Sequence, residues 1–276
     1  MTPVPDAGAL REAAVAMAEE AGAILLEGYG RAHVPERKGR IDLVTEYDRR
    51  SEALVLGRIA ERFPGAAVLA EESGIHGGRG SVPLRWIVDP LDGTTNFAHN
   101  YPFFAVSIAA ECDGEISAGA VFDPVRREMF AAARGQGATL NGAPIRCSDI
   151  TELEAALLVT GFPYDVREHP QGALPAFHAF LSRAQGIRRD GSATLNLCYT
   201  AMGRFDGFWE PRLSPWDVAA GALIVQEAGG RVTDYPGGRF DPAGGEVLAS
   251  NGLLHDVMRE VLAEVGARGG RREAKG

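Results

Sequence analysis

Cysteine is scarce in this sequence: Cys112, Cys147 and Cys198 are the only three among 276 residues, and they are widely spaced. An odd number of cysteines without a CxxC pair excludes a disulfide framework and a cysteine-based zinc site. Proteins of the reducing cytoplasm keep such thiols free inside their cores. We therefore predict a cytoplasmic protein with reduced cysteines.

Positive charge is also in short supply. Lysine and arginine number 28 against 37 aspartates and glutamates, which gives a formal net charge of −9 and a pI near 5.2. Binding along nucleic acid needs a basic face, so we expect no DNA partner. An acidic protein handles an anionic substrate poorly unless bound cations reverse the local charge. The acidic composition is therefore compatible with an anionic substrate only if the site binds metal ions.

Long apolar segments are missing as well. No apolar run in the sequence approaches the roughly 18 residues that a membrane span needs. The first twenty residues lack a basic stretch followed by an apolar one, so we expect no signal peptide. A hydrophobic content of 45% and a charged content of 24% are ordinary for a soluble globular protein. We expect no membrane partner.

The pattern of apolar residues predicts a single unit, 1–276, made of two parts. An α+β part, approximately 1–150, has helical spacing at 6–29 and 51–63 and strand-like segments from 103 to 141. An α/β part, 151–265, alternates strands at 155–160, 205–209, 231–235 and 246–250 with helices near 171–184, 192–202 and 215–228. Residues 266–276 are rich in glycine and charge, and we expect them to be disordered. The architecture is a layered α+β/α/β protein.

The segment DPLDGTT, residues 89–95, places two acids in a turn after an apolar strand. A solvated loop, or a turn in which Asp92 caps a helix, would explain the acids without any ligand. However, Pro90 interrupts a continuing strand, so Asp89, Asp92 and the carbonyl of Leu91 can face one point. Gly93 permits close approach to the backbone, and free amides at a following helix start would attract an anion. Carboxylates with a carbonyl are the oxygen ligands that Mg²⁺ uses.

Two further acidic positions follow or begin predicted elements. Glu71 and Glu72 end the strand at 67–73, and Asp217 lies at the start of a helix in SPWDVAAG. Each has an ordinary alternative: a solvated strand end for the glutamates, and a first-turn acid that complements the helix dipole for Asp217. Together with the turn, they indicate a convergent set of carboxylates.

The motifs AEES (70–73), DPLDGTTNF (89–97) and PWDVAAGALIVQEAGG (215–230) occur in this order. In these motifs and their spacing the chain resembles the inositol monophosphatase family of Mg²⁺-dependent, lithium-sensitive sugar phosphatases, over roughly residues 10–262. The resemblance implies a layered αβαβα sandwich, a single catalytic unit, two to three Mg²⁺ ions per active site and a homodimer.

The resemblance also implies roles for individual residues. The metal ligands would be Glu71, Asp89, Leu91 through its carbonyl, Asp92 and Asp217. Glu71 and Thr94 would orient the attacking water, with Asp48 hydrogen-bonded to Thr94 from behind. The substrate contacts would be Leu91, Asp92, Gly93, Thr94, Arg188, Gly191, Ser192, Ala193, Glu210 and Asp217. Whether Arg37 or Lys38 reaches the metal turn is left open.

The expected reaction is hydrolysis of inositol 1-phosphate by an activated water. A carboxylate at Glu210 can accept hydrogen bonds from ring hydroxyls, but it could also bind the ammonium of histidinol phosphate, which is the enzymatic alternative. Sugar bisphosphates and NADP are less expected in an acidic pocket. A non-catalytic role with RNA or the transcription machinery is a further alternative. The six histidines lack metal-ligand spacing, and we expect each of them at the surface.

Overall fold

The computed structural model of the chain describes residues 5–31, 35–37, 43–77 and 83–273. The α-helices in these ranges are α1 (Ala7–Gly28), α2 (Glu46–Arg62), α3 (Thr94–Ala98), α4 (Leu174–Leu181), α5 (Ala193–Ala201), α6 (Pro215–Glu227) and α7 (His255–Glu273). The strands of the N-terminal part are β1 (Glu36–Arg37), β2 (Leu43–Val44), β3 (Ala67–Ala70), β4 (Gly74–His76), β5 (Leu84–Asp92), β6 (Ala105–Cys112), β7 (Glu115–Asp123), β8 (Glu128–Ala133), β9 (Ala138–Leu140) and β10 (Ala143–Pro144). Those of the C-terminal part are β11 (Leu157–Thr160), β12 (Gly186–Arg188), β13 (Gly207–Pro211), β14 (Arg231–Thr233) and β15 (Glu246–Ser250).

The strands form one large sheet, one smaller sheet and the short β1–β2 pair. The large sheet has the order β10-β9-β8-β7-β6-β5-β3-β4. Strands β5 to β10 run antiparallel to one another, whereas β3 is parallel to β5 and antiparallel to β4. The strand-like segments predicted within 103–141 belong to this sheet. The smaller sheet has the order β12-β11-β13-β15-β14. In this sheet β12, β11 and β13 are parallel, and β15 and β14 are antiparallel to their neighbours.

Helices cover and separate the two sheets. Helices α1 and α2 pack on the outer face of the large sheet, and α5 and α6 lie between the sheets. Helices α4 and α7 cover the outer face of the smaller sheet. Three apolar cores fill the spaces between these layers. The predicted αβαβα sandwich is confirmed. No helix formed by the described residues combines the length and apolar character that crossing a bilayer requires.

Several element ends differ from the sequence prediction. Helix α2 begins at Glu46 rather than 51, because Thr45 and Asp48 form a capping box that starts it earlier. The helix expected at 171–184 is a 3₁₀ turn at Pro170–Gly172 followed by α4. Helix α7 extends to Glu273, so residues 266–273 are helical rather than disordered. Residues 78–82 of the glycine-rich stretch HGGRGSV (76–82) lie outside the described residues, as does His33.

His255 corrects the expectation that every histidine lies at the surface. It begins α7 and is fully buried between β14 and β15. Its Nε2 lies 2.9 Å from Thr233 Oγ1 and its Nδ1 lies 3.0 Å from Ser250 Oγ. Two hydroxyls satisfy both ring nitrogens, which is why a polar ring is tolerated in this core. Burial lowers the pKa of His255 to about 4.

This histidine is expected to make stability depend on pH. Because its folded-state pKa of about 4 lies below the ordinary 6.5, the unfolded chain takes up the proton first as pH falls. The contribution of neutral His255 to the free energy of unfolding is therefore complete above pH 6.5. It is lost as the pH falls towards 4, by at most roughly 3 kcal/mol. Urea unfolding of the wild type and of His255→Asn at several pH values gives the two free energies of unfolding. Their difference isolates His255, because the titrations of other groups cancel in it. A difference that does not change between pH 7 and pH 4 would contradict the expectation, and exposed His178→Asn is the control.

Candidate active site

The acidic turn lies at the end of β5, in the middle of the large sheet. The strand continues through Pro90 to Asp92, which corrects the prediction that the proline ends it, but its pairing with β6 is interrupted between Asp89 and Asp92. Such an irregularity accommodates a proline, which has no N–H to give to the ladder. The carbonyl of Pro90 accepts a hydrogen bond from Ser51 Oγ at 2.9 Å. Gly93 follows with a φ of 96°, and α3 begins at Thr94 as expected.

Three carboxylates from two distant parts of the sequence converge at this turn. Asp89, Asp92 and Asp217 each offer an oxygen, and these oxygens lie within 4.8 Å of one another. Glu71 follows β3, the neighbour of β5, and is hydrogen-bonded to Asp89. Burial raises the pKa of Asp89 well above its usual range, and the charges of Glu71, Asp92 and Asp217 add to the effect. Buried like charges of this kind are stabilised by a bound cation, and hard oxygen donors suit Mg²⁺.

Helix α5 holds Asp92 in place from the C-terminal part. Ser192 Oγ and the backbone N–H of Thr194 each donate to Asp92 Oδ2 at 2.7 Å, and the hydroxyl of Thr194 donates to the same oxygen. Burial raises the pKa of Asp92, while these bonds act in the opposite direction. The sequence analysis expected Ser192 as a substrate contact, but its hydroxyl donates its hydrogen bond to a carboxylate of the cluster. The sequence analysis missed Thr194, although a Ser-x-Thr pattern at a helix start was a usable signal.

Asp217 combines the two roles that the sequence left as alternatives. It is the third residue of α6, and its Oδ2 accepts the backbone N–H of Ser214 at 2.7 Å in a capping box. It also belongs to the three-carboxylate cluster. Burial, followed by the charge of Asp92, raises its pKa well above the usual range. The cap orients the side chain, so a helix start presents a carboxylate to the cluster.

Thr94 connects the turn to α2. Its hydroxyl lies 3.0 Å from Asp48 Oδ1 and 3.1 Å from the carbonyl of Leu91, both of which can accept its proton. Asp48 is fully buried, and its Oδ2 accepts from the N–H and hydroxyl of Thr45. Burial raises the pKa of Asp48, and its hydrogen bonds partly offset this. Because an acceptor takes the Thr94 proton, the lone pairs of this hydroxyl can accept a hydrogen bond from a water in the cavity.

The loop before α5 is tied directly to the turn. Asn96 Nδ2 donates to the carbonyls of Phe103 at 2.7 Å and Asp190 at 2.8 Å. Gly93 fits between these segments because a Cβ there would lie 3.0 Å from the Phe103 carbonyl and 3.4 Å from that of Gly191. The loop of the C-terminal part therefore keeps a defined position over the acidic turn.

A cavity of about 770 Å³ opens over these groups. Its walls include the predicted residues Glu71, Asp89, Leu91, Asp92, Gly93, Thr94, Gly191, Ser192, Ala193, Glu210 and Asp217. Arg188 is not among the lining residues, whereas its neighbour Arg189 is, together with Arg167 and Arg212. The segment 161–167, which showed no diagnostic pattern, forms another wall. The question of Arg37 or Lys38 concerns side chains that the structure does not describe.

Glu210, on β13, also lines the cavity. It is 8% exposed, and burial raises its pKa to about 8, partly offset by Arg189. Near neutral pH it is therefore mostly protonated and can both donate and accept hydrogen bonds. Its carboxyl group lies directly over Gly161, where a Cβ would come within 2.1 Å of both oxygens. Sequence analysis gave no role to Gly161, whose importance depends on this contact.

Comparisons with known proteins agree with this geometry. The family model described as the inositol monophosphatase family matches residues 6–267. The inositol-1-monophosphatase of Synechocystis sp. is 46% identical over 244 residues, which are 88% of this chain and 85% of that protein. Nus factor SuhB of Escherichia coli is 41% identical over 247 residues, which are 89% of this chain and 92% of that protein.

Solved structures lead to the same family. The inositol monophosphatase from Anabaena (Nostoc) sp. is 43% identical and superposes with a TM-score of 0.85, over 93% of this chain and 96% of that one. The match extends over nearly the whole chain and includes the acidic cluster of β5 and α6. The chain belongs to the inositol monophosphatase family of metal-dependent phosphatases.

Proposed function

We propose that the chain is a Mg²⁺-dependent phosphomonoester hydrolase that releases phosphate from inositol 1-phosphate. The observation that carries the proposal is the convergence of Asp89, Asp92 and Asp217 within 4.8 Å, in the wall of a cavity that Glu210 also lines. A phosphate monoester is among the slowest biological bonds to hydrolyse in water, so a large acceleration is required. A cavity lined by cation ligands and by a further carboxyl group that can bind an alcohol suits this task.

The ligand set fits two to three Mg²⁺ ions. Asp89, Asp92 and Asp217 would hold them, with Glu71 and the Leu91 carbonyl as further oxygen donors. When bound, Mg²⁺ would supply positive charge to the phosphate oxygens and make a nearby water more acidic. Lithium would compete for such a site, which is the basis for the expected lithium sensitivity.

The chain's own groups would orient the reactants. The Thr94 hydroxyl, with its proton directed to Asp48 or the Leu91 carbonyl, would accept a hydrogen bond from the attacking water, and Glu71 would accept the proton that this water loses. The N–H groups of Gly93 and Thr94 at the start of α3 would donate to the phosphate. Glu210 would exchange hydrogen bonds with the ring hydroxyls of the substrate. Gly191 and Ala193 would contact the same part of the substrate.

A panel of substrates tests the proposal. We expect the highest kcat/KM for inositol 1-phosphate among inositol 1-phosphate, histidinol phosphate, fructose 1,6-bisphosphate and NADP. A chelator should abolish phosphate release, added Mg²⁺ should restore it, and lithium should inhibit it. Activity that survives chelation would rule out the metal mechanism. A preference for histidinol phosphate would reassign Glu210 to binding an ammonium group.

A second candidate comes from the relatives named Nus factor SuhB, which are 41 to 43% identical to this chain. A role in transcription would require a partner surface rather than turnover. Complementation of a deletion strain by Asp92→Asn distinguishes the two: growth restored by an inactive variant would favour the partner role. The homodimer and the cytoplasmic location implied by the sequence remain predictions, which light scattering and cell fractionation can test.

A further inference from the structure

Two chain segments lie against the acidic turn, and the side chain of Asn96 joins them. Its Nδ2 donates to the carbonyl of Phe103 at 2.7 Å and to that of Asp190 at 2.8 Å. The first segment packs on Gly93, where a Cβ would lie 3.0 Å from the Phe103 carbonyl. The second leads into Ser192, which donates to a carboxylate of the cluster. The geometry of the turn therefore depends on where these two segments lie.

Arg126, in the turn between β7 and β8, interacts with both segments. Its Nη1 donates to the carbonyl of Pro102, and its guanidinium carbon lies 5.4 Å from the centre of the Phe103 ring. Burial raises the pKa of Asp190, and the charges of Arg188 and Arg126 are among those that act in the opposite direction. The guanidinium group of Arg126 is therefore attracted to the second segment while it is bonded to the first.

Asp123 fixes the position of Arg126. The Asp123 carboxylate is fully buried, and one of its oxygens accepts the N–H groups of Val125 and Arg126 at 2.9 Å each. The other oxygen lies 2.8 Å from Arg126 Nη1. Hydrogen bonds between charged groups are stronger than neutral ones. The guanidinium group therefore has a defined position relative to the large sheet, to which Asp123 belongs as the last residue of β7.

We propose that Arg126 is a positioning residue for phosphate hydrolysis, which keeps the segments at Phe103 and Asp190 packed against the acidic turn. The proposal rests on the proposed phosphatase function. Arg126 is not among the described residues that line the cavity, so it acts through these segments and not by contact with the substrate. A displacement of about 1 Å in a reacting group can cost roughly a hundredfold in rate, even when the mutated residue is distant.

Two simpler roles would also explain the contacts of Arg126. A purely structural role predicts a lower melting temperature without a change in phosphate binding. A purely electrostatic role predicts that the loss of any nearby positive charge weakens phosphate binding. Arg127, the exposed neighbour of Arg126, is the control for charge. Arg85 is the control for stability, because it pairs with Glu111 at 2.6 Å near the start of β5, whereas the acidic turn is at the end of that strand.

The first measurement is the binding of inorganic phosphate in the presence of Mg²⁺, followed by isothermal titration calorimetry, which needs no turnover. We expect Arg126→Gln to raise the Kd for phosphate by about fivefold to tenfold, because the groups of the turn no longer meet the anion together. Arg127→Gln and Arg85→Gln should stay within about twofold of the wild type. The side chain of Arg126 is 36% exposed, so the variant is expected to fold, and the melting temperatures of all three variants verify this.

The second measurement is turnover. The kcat/KM of Arg126→Gln should fall by one common factor, about fivefold to tenfold, for inositol 1-phosphate and p-nitrophenyl phosphate, which have only the phosphate group in common. A residue that binds the alcohol would affect inositol 1-phosphate alone. If inositol 1-phosphate is not hydrolysed while phosphate binding still depends on Arg126, the inositol assignment is rejected and the positioning role remains.

A double-mutant cycle tests the route of the effect. If Arg126 acts on the segments that Asn96 joins, the loss of kcat/KM in the double variant Arg126→Gln, Asn96→Ala should differ from the product of the two single losses, as for residues that share partners. Independent effects would multiply. The proposal is overturned if Arg126→Gln leaves the Kd for phosphate unchanged, if Arg127→Gln raises it equally, or if the two substitutions act independently.

Discussion

Replacing Asp92 with asparagine is expected to lower kcat/KM for inositol 1-phosphate by roughly a thousandfold while the protein stays folded. Asp92 is one of three acids whose oxygens lie within 4.8 Å, and asparagine removes its charge with little change in shape. The amide oxygen can still accept from Ser192 and Thr194. Charge stabilisation by a metal contributes several kcal/mol to the transition state, and each 1.36 kcal/mol corresponds to about tenfold in rate. Initial rates of phosphate release measure the effect.

The same substitution should not destabilise the protein when metal is absent. Burial raises the pKa values of Asp89 and Asp217, and the charge of Asp92 raises both further, as expected for carboxylates that repel each other in a buried site. Removing one charge relieves this repulsion, so the melting temperature in a chelator should be unchanged or higher. Asp149→Asn, at a side chain that is 80% exposed, serves as the control for both measurements. Activity of Asp92→Asn within tenfold of the wild type would exclude Asp92 from the metal site.

Gly161→Ala is expected to raise KM for inositol 1-phosphate by about tenfold to a hundredfold. A Cβ at this position would lie 2.1 Å from both carboxyl oxygens of Glu210, so the carboxyl group must move. The backbone of Gly161 does not have a positive φ, so alanine adds no strain of its own. The expected loss comes from hydrogen bonds between Glu210 and the substrate alcohol. Glu210→Ala should reproduce it.

Two measurements separate this effect from general damage. Gly172→Ala is the matched control, since a Cβ there has nothing within 4 Å. Hydrolysis of p-nitrophenyl phosphate, which has no ring hydroxyls for Glu210, reports on the metal site alone and should fall much less than hydrolysis of inositol 1-phosphate. If Gly161→Ala retains the wild-type KM, Glu210 does not bind the alcohol in its present position.

Much of the local structure followed from short patterns in the sequence. Apolar residues three and four positions apart predicted α1, and strand-like segments separated by turns predicted β6 to β8. The turn at Asp89–Thr94 combines a proline, a glycine and two acids within a few residues, so its chemistry could be read from the chain alone. Element ends were less predictable. The beginning of α2, for example, depends on the hydrogen bonds between Thr45 and Asp48.

Contacts between distant segments could not be read from local patterns. Thr194 binds Asp92 across a separation of 102 residues, and Glu210 requires Gly161 because β13 and β11 are paired. His255 resembled a surface residue until the sheet placed Thr233 and Ser250 beside it. Each of these depends on the positions of two or more elements, which no spacing in the sequence encodes.

The sequence by itself predicted a metal-dependent phosphatase, because the carboxylates, the carbonyl and the glycine that this chemistry needs are concentrated in one turn and two further motifs. The tertiary structure alone decided which basic residues line the cavity. Arg167, Arg189 and Arg212 are separated along the chain, and their sequence context resembles that of ordinary surface charges. The sequence analysis named Arg188 as a substrate contact, but its neighbour Arg189 lines the cavity instead. They become one group because three parallel strands end at the same edge of the smaller sheet.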